Sequence, residues 1–222
     1  MSSKLKTSLI WLIITLIIYV IFYNFLDLRI DIWAKQTFSN TNFASICWDY
    51  GGILTPKHWL AISLVALVLG IRAKRKQYRG ARALLLFSIS LLGAYIVCAV
   101  LKIGLARYRP IEYFQHGLYG FHFFSNKHAF MSTPSGHATM AFAGLFALSK
   151  IIKRTWATVI LLLLATATVV SRIVITAHYP SDVILGAYIG MLGVYWTQSF
   201  VNILLPHAAS TATGEASPNT HQ

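Results

Sequence analysis

The sequence predicts an all-α, polytopic membrane protein built as a bundle of six transmembrane helices. Three observations carry this. Of 222 residues, 56% are hydrophobic and only 11% are charged, whereas a soluble domain carries about 25% charged residues. Mean hydropathy is +0.61. Six apolar segments follow one another along the chain, all but the second near the ~20 residues an α-helix needs to cross a bilayer.

The first span is Leu9 to Leu26, interrupted by Tyr19, Tyr23 and Asn24. A short basic stretch precedes it, Met1 to Lys6. The run is too long for a signal-peptide core and lacks a small-x-small cleavage site, so it reads as a retained span. Residues 27 to 57 are mixed and read as a loop, with Asp27, Asp31 and Asp49, and with Cys47 inside it; Gly51-Gly52 and Pro56 break it. His58 to Ile71 is the second span, short enough that it must borrow a turn from its flanks. A dense basic turn follows, Arg72 to Arg82. Ala83 to Leu101 is an uncharged third span. Residues 106 to 134 form a polar and aromatic connection. Ser135 to Ile152, Thr155 to Ser171 and Val183 to Leu205 complete the six. From Pro206 onward the chain is Ala, Ser, Thr, Gly and Gln without apolar periodicity, which predicts disorder over 206–222. One membrane domain, residues 1–205, therefore precedes a tail.

The net charge of +13 reflects scarce acids, since Asp and Glu total 6. The cations flank apolar runs instead of lining a soluble face, which argues against nucleic acid as a partner. Two cysteines, Cys47 and Cys98, give neither a disulfide framework nor metal-ligand spacing. With the N-terminus in the cytoplasm, eleven of the nineteen Lys and Arg residues fall on the cytoplasmic side: Lys4, Lys6, the six from Arg72 to Arg82, Lys150, Lys153 and Arg154. The excess predicts both termini inside. The ends of spans three to six then face outward, toward the periplasm of a bacterial inner membrane.

Three patterns lie at those ends. Lys102 begins K-I-G-L-A-R-Y-R-P, which closes on Arg109-Pro110. Pro134-Ser135-Gly136-His137 opens span four. Ser171-Arg172 ends span five, with His178 and Asp182 following in S-R-I-V-I-T-A-H-Y-P-S-D. A phosphate ester carries negative charge that spreads during displacement at phosphorus, so its catalysis needs fixed cations and donors. Lys102, Arg109 and Arg172 supply cations at the membrane edge. Lys102 or Arg172 alone reads equally as snorkelling to the interface; the three cations on one side point to a site. Pro134 fits the first position of a helix, whose N-terminus presents free N–H groups to an anion. Ser135 adds a hydroxyl, although a plain helix cap explains it equally, and Gly136 admits a ligand close to the backbone. Pro180 and Asp182 fit the first and third positions of the next helix. Asp182, four residues beyond His178, can accept the imidazole N–H and favour a developing imidazolium. Two histidines divide the labour, one attacking and one protonating the leaving oxygen. Near the motifs only Glu112 and Asp182 are acidic, too few for a two-metal site, and His116, His122 and His128 read as loop residues. No cofactor is expected.

These three motifs resemble the signature of the type-two phosphatidic acid phosphatase family, related to vanadium haloperoxidases. That pattern is K-x6-R-P, P-S-G-H and S-R-x5-H-x3-D, and the chain matches every fixed position over roughly residues 83–195. The resemblance implies a metal-independent lipid phosphatase in which His178 forms a phosphohistidine and Asp182 orients it. It implies that His137 protonates the leaving group, while Lys102, Arg109, Ser135, Gly136 and Arg172 hold phosphate oxygens. Undecaprenyl diphosphate, phosphatidylglycerol phosphate, phosphatidate and lipid A phosphates are the substrates this reading admits. A lipid phosphotransferase using the same phosphohistidine is a second reading, and a non-enzymatic membrane anion site a third. The aromatic loop 107–133 reads either as a lid for a lipid or as an interfacial belt.

Overall fold

The computed structural model describes residues 2–53, 55–78 and 80–205; the tail expected to be disordered lies outside the described residues. The described residues form α1 (Ser3–Ile21), α2 (Asp27–Phe38), α3 (Asn42–Ile53), α4 (Pro56–Arg75), α5 (Ala81–Leu105), α6 (Pro110–His116), α7 (Gly136–Ile152), α8 (Thr155–Val174) and α9 (Pro180–Leu204). They contain no strand, only one isolated bridge between Arg107 and Phe121. The all-helical class is as expected.

Five helical stretches are long and apolar enough to cross a membrane: Ser3–Phe38, Asn42–Arg75, Ala81–Leu105, Thr155–Val174 and Pro180–Leu204. Gly136–Ile152 is a sixth, shorter apolar helix. The side chains turned outward are those of a lipid-facing surface, among them Ile10, Ile17, Val65 and Leu163.

The region expected to be a loop, residues 27–57, is instead mostly helical, and Cys47 is a buried residue of α3. The cause lies at the end of the first span. A π-helical turn, Phe22–Leu26, joins α1 to α2 without a break. Such a turn inserts extra chain and re-aims the face that follows it. Before it the helix presents mostly apolar residues outward; after it Asp27 and Asp31 are fully buried. Their carboxylates made this stretch look solvated, but they point inward.

α5, α7 and α9 form the centre. Leu91, Met140 and Val194 are among its enclosed side chains. In lipid there is little hydrophobic drive between helices, so packing depends on close approach at small residues. α9 supplies that approach with Gly186 and Gly190. A Cβ at Gly186 would fall 2.6 Å from the Ser135 carbonyl oxygen, and one at Gly190 would fall 2.5 Å from that of Thr139. α4 joins by laying Trp59 onto Gly144 of α7, where a Cβ would meet the ring at 2.4 Å. Backbone contact between α7 and α9 brings the second and third sequence motifs together.

Candidate active site

Each motif sits where a helix starts or stops. α5 ends at Ala106, whose left-handed backbone (φ 43°) turns the chain while its N–H bonds the Lys102 carbonyl. The connection then folds back on α5. The N–H groups of His122, Phe124 and Ser125 meet the carbonyls of Ala106, Gly104 and Ile103 at 2.9–3.1 Å. This return brings Met131 and Ser132 against Lys102. The Lys102 ammonium donates to the Met131 carbonyl at 2.7 Å. Arg109 donates to the same carbonyl at 3.3 Å, to that of His128 at 2.9 Å and to that of Ala177 at 3.4 Å. Two cations seven residues apart thus converge on one oxygen beside the residue that precedes His178.

α7 begins at Gly136, with Ser135 as its cap. The Ser135 hydroxyl accepts the Ala138 N–H at 3.5 Å. Pro134 therefore lies outside the helix, contrary to the expectation that it takes the first helical position. The reason is the neighbouring helix: the Asp182 carbonyl takes the Ser135 N–H at 2.9 Å and holds Ser135 extended. Gly136 faces Lys102 across the turn. A Cβ there would lie 3.7 Å from the lysine side chain and 3.3 Å from Pro56, so the backbone is bare where the ammonium approaches. His137 follows on the first turn, half-buried.

At the start of α9, Pro180 and Asp182 take the first and third helical positions, as the sequence implies, and Asp182 accepts the Tyr179 N–H at 3.1 Å. The helix-start role and the histidine-facing role coexist in one carboxylate. Its Oδ2 lies 3.8 Å from His178 Nδ1, longer than a hydrogen bond, and also accepts the Ser132 hydroxyl at 2.5 Å. His178 is 3% exposed. Burial, with the charges of Arg109 and Lys102, outweighs the carboxylate and lowers its pKa to about 3, so the imidazole is neutral at physiological pH. His128 is also pushed down, first by the Arg109 charge and then by burial.

Arg172 stands apart from this convergence. Its guanidinium donates to the Cys47 carbonyl of α3 at 2.7 Å, and a Cβ at Gly51 would fall 1.5 Å from one of its terminal nitrogens. The backbone still ties it to the site, since the Ala177 N–H bonds the Arg172 carbonyl at 2.9 Å. Of the eight residues expected at the site, the structure links Lys102, Arg109, Ser135, Gly136, His178 and Asp182 through direct or one-step contacts. It places His137 beside Gly136, and Arg172 against α3.

Three residues in this arrangement escape a reading of the sequence. Arg107, which that reading counts only as an outer-face charge, bonds Asp182 at 2.6 Å. Asp27 bonds Arg107 at 2.7 Å. Ser132 shares the Asp182 carboxylate with Arg107. The available signal is Asp27 with Asp31 at the end of an apolar span, since ionisable groups at that depth are costly.

A family model described as PAP2 superfamily matches residues 83–204. The chain is 34% identical over 143 residues to a lipid A 1-phosphatase of Rhizobium johnstonii, covering 60% of this chain and 57% of that one. It is 34% identical over 111 residues to the lipid A 1-phosphatase of Rhizobium etli, covering 46% and 47%. The chain thus spans about half the length of the curated relatives it matches. A crystal structure of a transmembrane PAP2 type phosphatidylglycerolphosphate phosphatase from Bacillus subtilis overlays with a TM-score of 0.58 at 16% identity, covering 94% of this chain and all of that one. At that identity the overlay speaks to the fold alone.

Proposed function

The chain belongs to the PAP2 superfamily, and from that membership we propose that it is an integral membrane lipid phosphatase acting through a phosphohistidine. The observation that carries the reading is a buried, neutral His178 with Asp182 at its Nδ1 and two converged cations beside it. In this reading the other imidazole nitrogen attacks phosphorus as the bond to the lipid oxygen breaks. His137 gives that oxygen a proton, and the lipid alcohol leaves. Water, deprotonated by His137, then attacks phosphorus, the P–N bond breaks, and inorganic phosphate is released. Lys102, Arg109 and Arg172, with the Ser135 hydroxyl and the backbone N–H groups at Gly136, hold the phosphate oxygens. Asp182 stabilises the imidazolium that forms when His178 is phosphorylated. The sequence similarity to two lipid A 1-phosphatases puts a phosphorylated glycolipid first among the substrates.

The test is phosphate release by purified protein from lipid A, phosphatidylglycerol phosphate, phosphatidate and undecaprenyl diphosphate, with EDTA present. Turnover should persist in EDTA, and vanadate should inhibit as a mimic of five-coordinate phosphorus. Activity lost in EDTA and restored by Mg²⁺ overturns the metal-independent mechanism. Label passed to a second lipid without phosphate release identifies a phosphotransferase instead.

The site is proposed to open to the periplasmic face of a bacterial inner membrane, with both termini cytoplasmic, on the distribution of Lys and Arg. Gln115 and Gln77 are both exposed side chains, in α6 and after α4. A cysteine at Gln115 should react with an impermeant thiol reagent in intact spheroplasts, and one at Gln77 should not. Reversed labelling puts the site on the cytoplasmic side.

Arg172 gives a third expectation. With no room for a side chain at Gly51, Gly51→Ala must displace the guanidinium. Losing one hydrogen bond to a charged group costs about 1.5–3 kcal/mol, so kcat/KM should fall roughly 10- to 100-fold while the fold stays intact. An unchanged kcat/KM would show that Arg172 does not touch the phosphate.

A further inference from the structure

Arg107 is fully buried, and none of the fixed motif positions includes it. One terminal nitrogen donates to Asp182 Oδ1 at 2.6 Å and to the Ser181 hydroxyl at 2.7 Å. The other donates to Asp27 Oδ2 at 2.7 Å and to the Tyr119 hydroxyl at 3.0 Å. Asp27 is held in turn by the Ser181 N–H at 2.9 Å and the Ser181 hydroxyl at 2.5 Å. The guanidinium lies 4.2 Å from the centre of the Tyr179 ring and 4.9 Å from that of Tyr23. One planar cation thus spans two carboxylates: one belongs to the catalytic segment, the other to a helix 155 positions earlier in sequence.

A buried ion network of this kind is a poor device for stability alone, because desolvation of the charges offsets their attraction and apolar contacts would serve as well. Its geometry serves a different end. Asp182 Oδ1 belongs to Arg107, and Oδ2 to Ser132 and the Tyr179 N–H. The carboxylate has one orientation left, the one that turns Oδ2 toward His178.

We propose that Arg107 is a positioning residue for phosphoryl transfer, which with Asp27 as its counter-anchor fixes the Asp182 carboxylate against His178. This rests on the phosphatase reading and extends the site to Asp27, outside the matched residues 83–204. The charge of Arg107 has a second effect. It competes with the imidazole for the carboxylate's field, so its removal favours the imidazolium form of His178, which cannot attack. The other groups around the pair are Lys102 of α5, Arg109 of the connection, Tyr19 of α1, Asp31 of α2, His137 of α7 and Tyr179 before α9. None of them bonds both Asp182 and Asp27.

The test uses the full chain with Arg107→Gln, Arg107→Lys and the pair Arg107→Gln/Asp27→Asn. It reads thermal stability, the pH profile of kcat/KM, and ¹⁵N-histidine NMR of the imidazole. Arg107→Gln should melt lower, because two buried carboxylates lose their cation. The double variant should regain most of that stability while the acid limb of its pH profile stays at least one unit above that of the unmodified protein, which is a tenfold loss at a fixed acidic pH. Arg107→Lys keeps the charge without the fork. It should hold the limb near its original place yet lose kcat at least tenfold. The NMR titration of His178 should move upward in the double variant whether or not any lipid is turned over. Inactivity of the unmodified protein on every lipid phosphate would defeat the phosphatase reading alone. If the double variant regains stability with an unmoved limb and an unmoved His178 titration, or if Arg107→Lys keeps full kcat, Arg107 is structural only and the inference fails.

Discussion

On the proposed mechanism, His178→Ala should abolish both turnover and the labelled phosphoenzyme. The proposed nucleophile has no substitute in that mechanism: the imidazole is buried, with Asp182 Oδ2 3.8 Å from its Nδ1 and Arg109 bonded to the carbonyl of the preceding residue. His137→Ala behaves differently. The His137 ring stands on the first turn of α7, half-buried, with no acid adjacent in sequence, and is the proposed proton donor. General acid catalysis contributes about 10²- to 10⁴-fold, so the loss should be of that order for a lipid alkoxide. It should largely vanish for an activated aryl phosphate whose leaving group needs little protonation. Rapid quench with labelled substrate, followed by isolation of phosphohistidine under alkaline conditions, separates the two. Label on His137, or label persisting in His178→Ala, reverses the assignment.

Asp182→Ala is the second large effect, and it falls on fold and rate together. The carboxylate is fully buried and serves Arg107, Ser132 and the Tyr179 N–H. Removing one partner of a buried ion pair costs about 3–5 kcal/mol, because the other charge is left unpaired. Asp182→Asn keeps the shape and the helix-cap acceptor but not the charge. It should fold better than the alanine variant and still lose activity by about 10⁴-fold, the scale seen when the carboxylate behind a catalytic imidazole is neutralised. Denaturation of both variants beside their turnover checks this. An Asn variant with near-normal rate shows that the charge of Asp182 is not used.

Much of this was legible in the residues, for identifiable reasons. Hydropathy located α1, α4, α5, α7, α8 and α9 because lipid imposes a length and a composition on each. The pairing of His178 with Asp182 was legible because both flank one helix start, four residues apart. What stayed hidden depends on partners distant in sequence. α2 carries Asp27, Arg29, Asp31 and Lys35 within nine positions and reads as solvated until Asp27 and Asp31 are seen buried, with Asp27 bonded to Arg107, 80 residues away in the chain. Arg107 itself occupies a variable place in the first motif, two residues before Arg109, where spacing assigns it nothing. Pro134 was misplaced by two positions, since Gly136 is the first helical residue, because a backbone bond from Asp182, not local preference, sets where α7 begins. Contact between Arg172 and α3 has no trace in composition, because the acceptor is a main-chain carbonyl and the space is made by a glycine.

The meeting of α7 and α9 at Gly186 and Gly190 has a mechanical consequence. With main chain against main chain at those two points, neither helix can slide past the other without a collision. His137 at the start of one and Asp182 at the start of the other are therefore mounted on a single seam. The contact of α8 with α3 is of another kind, made by side chains reaching main chain: Arg172 bonds the Cys47 carbonyl beside Gly51, and Tyr50 bonds the Leu164 carbonyl.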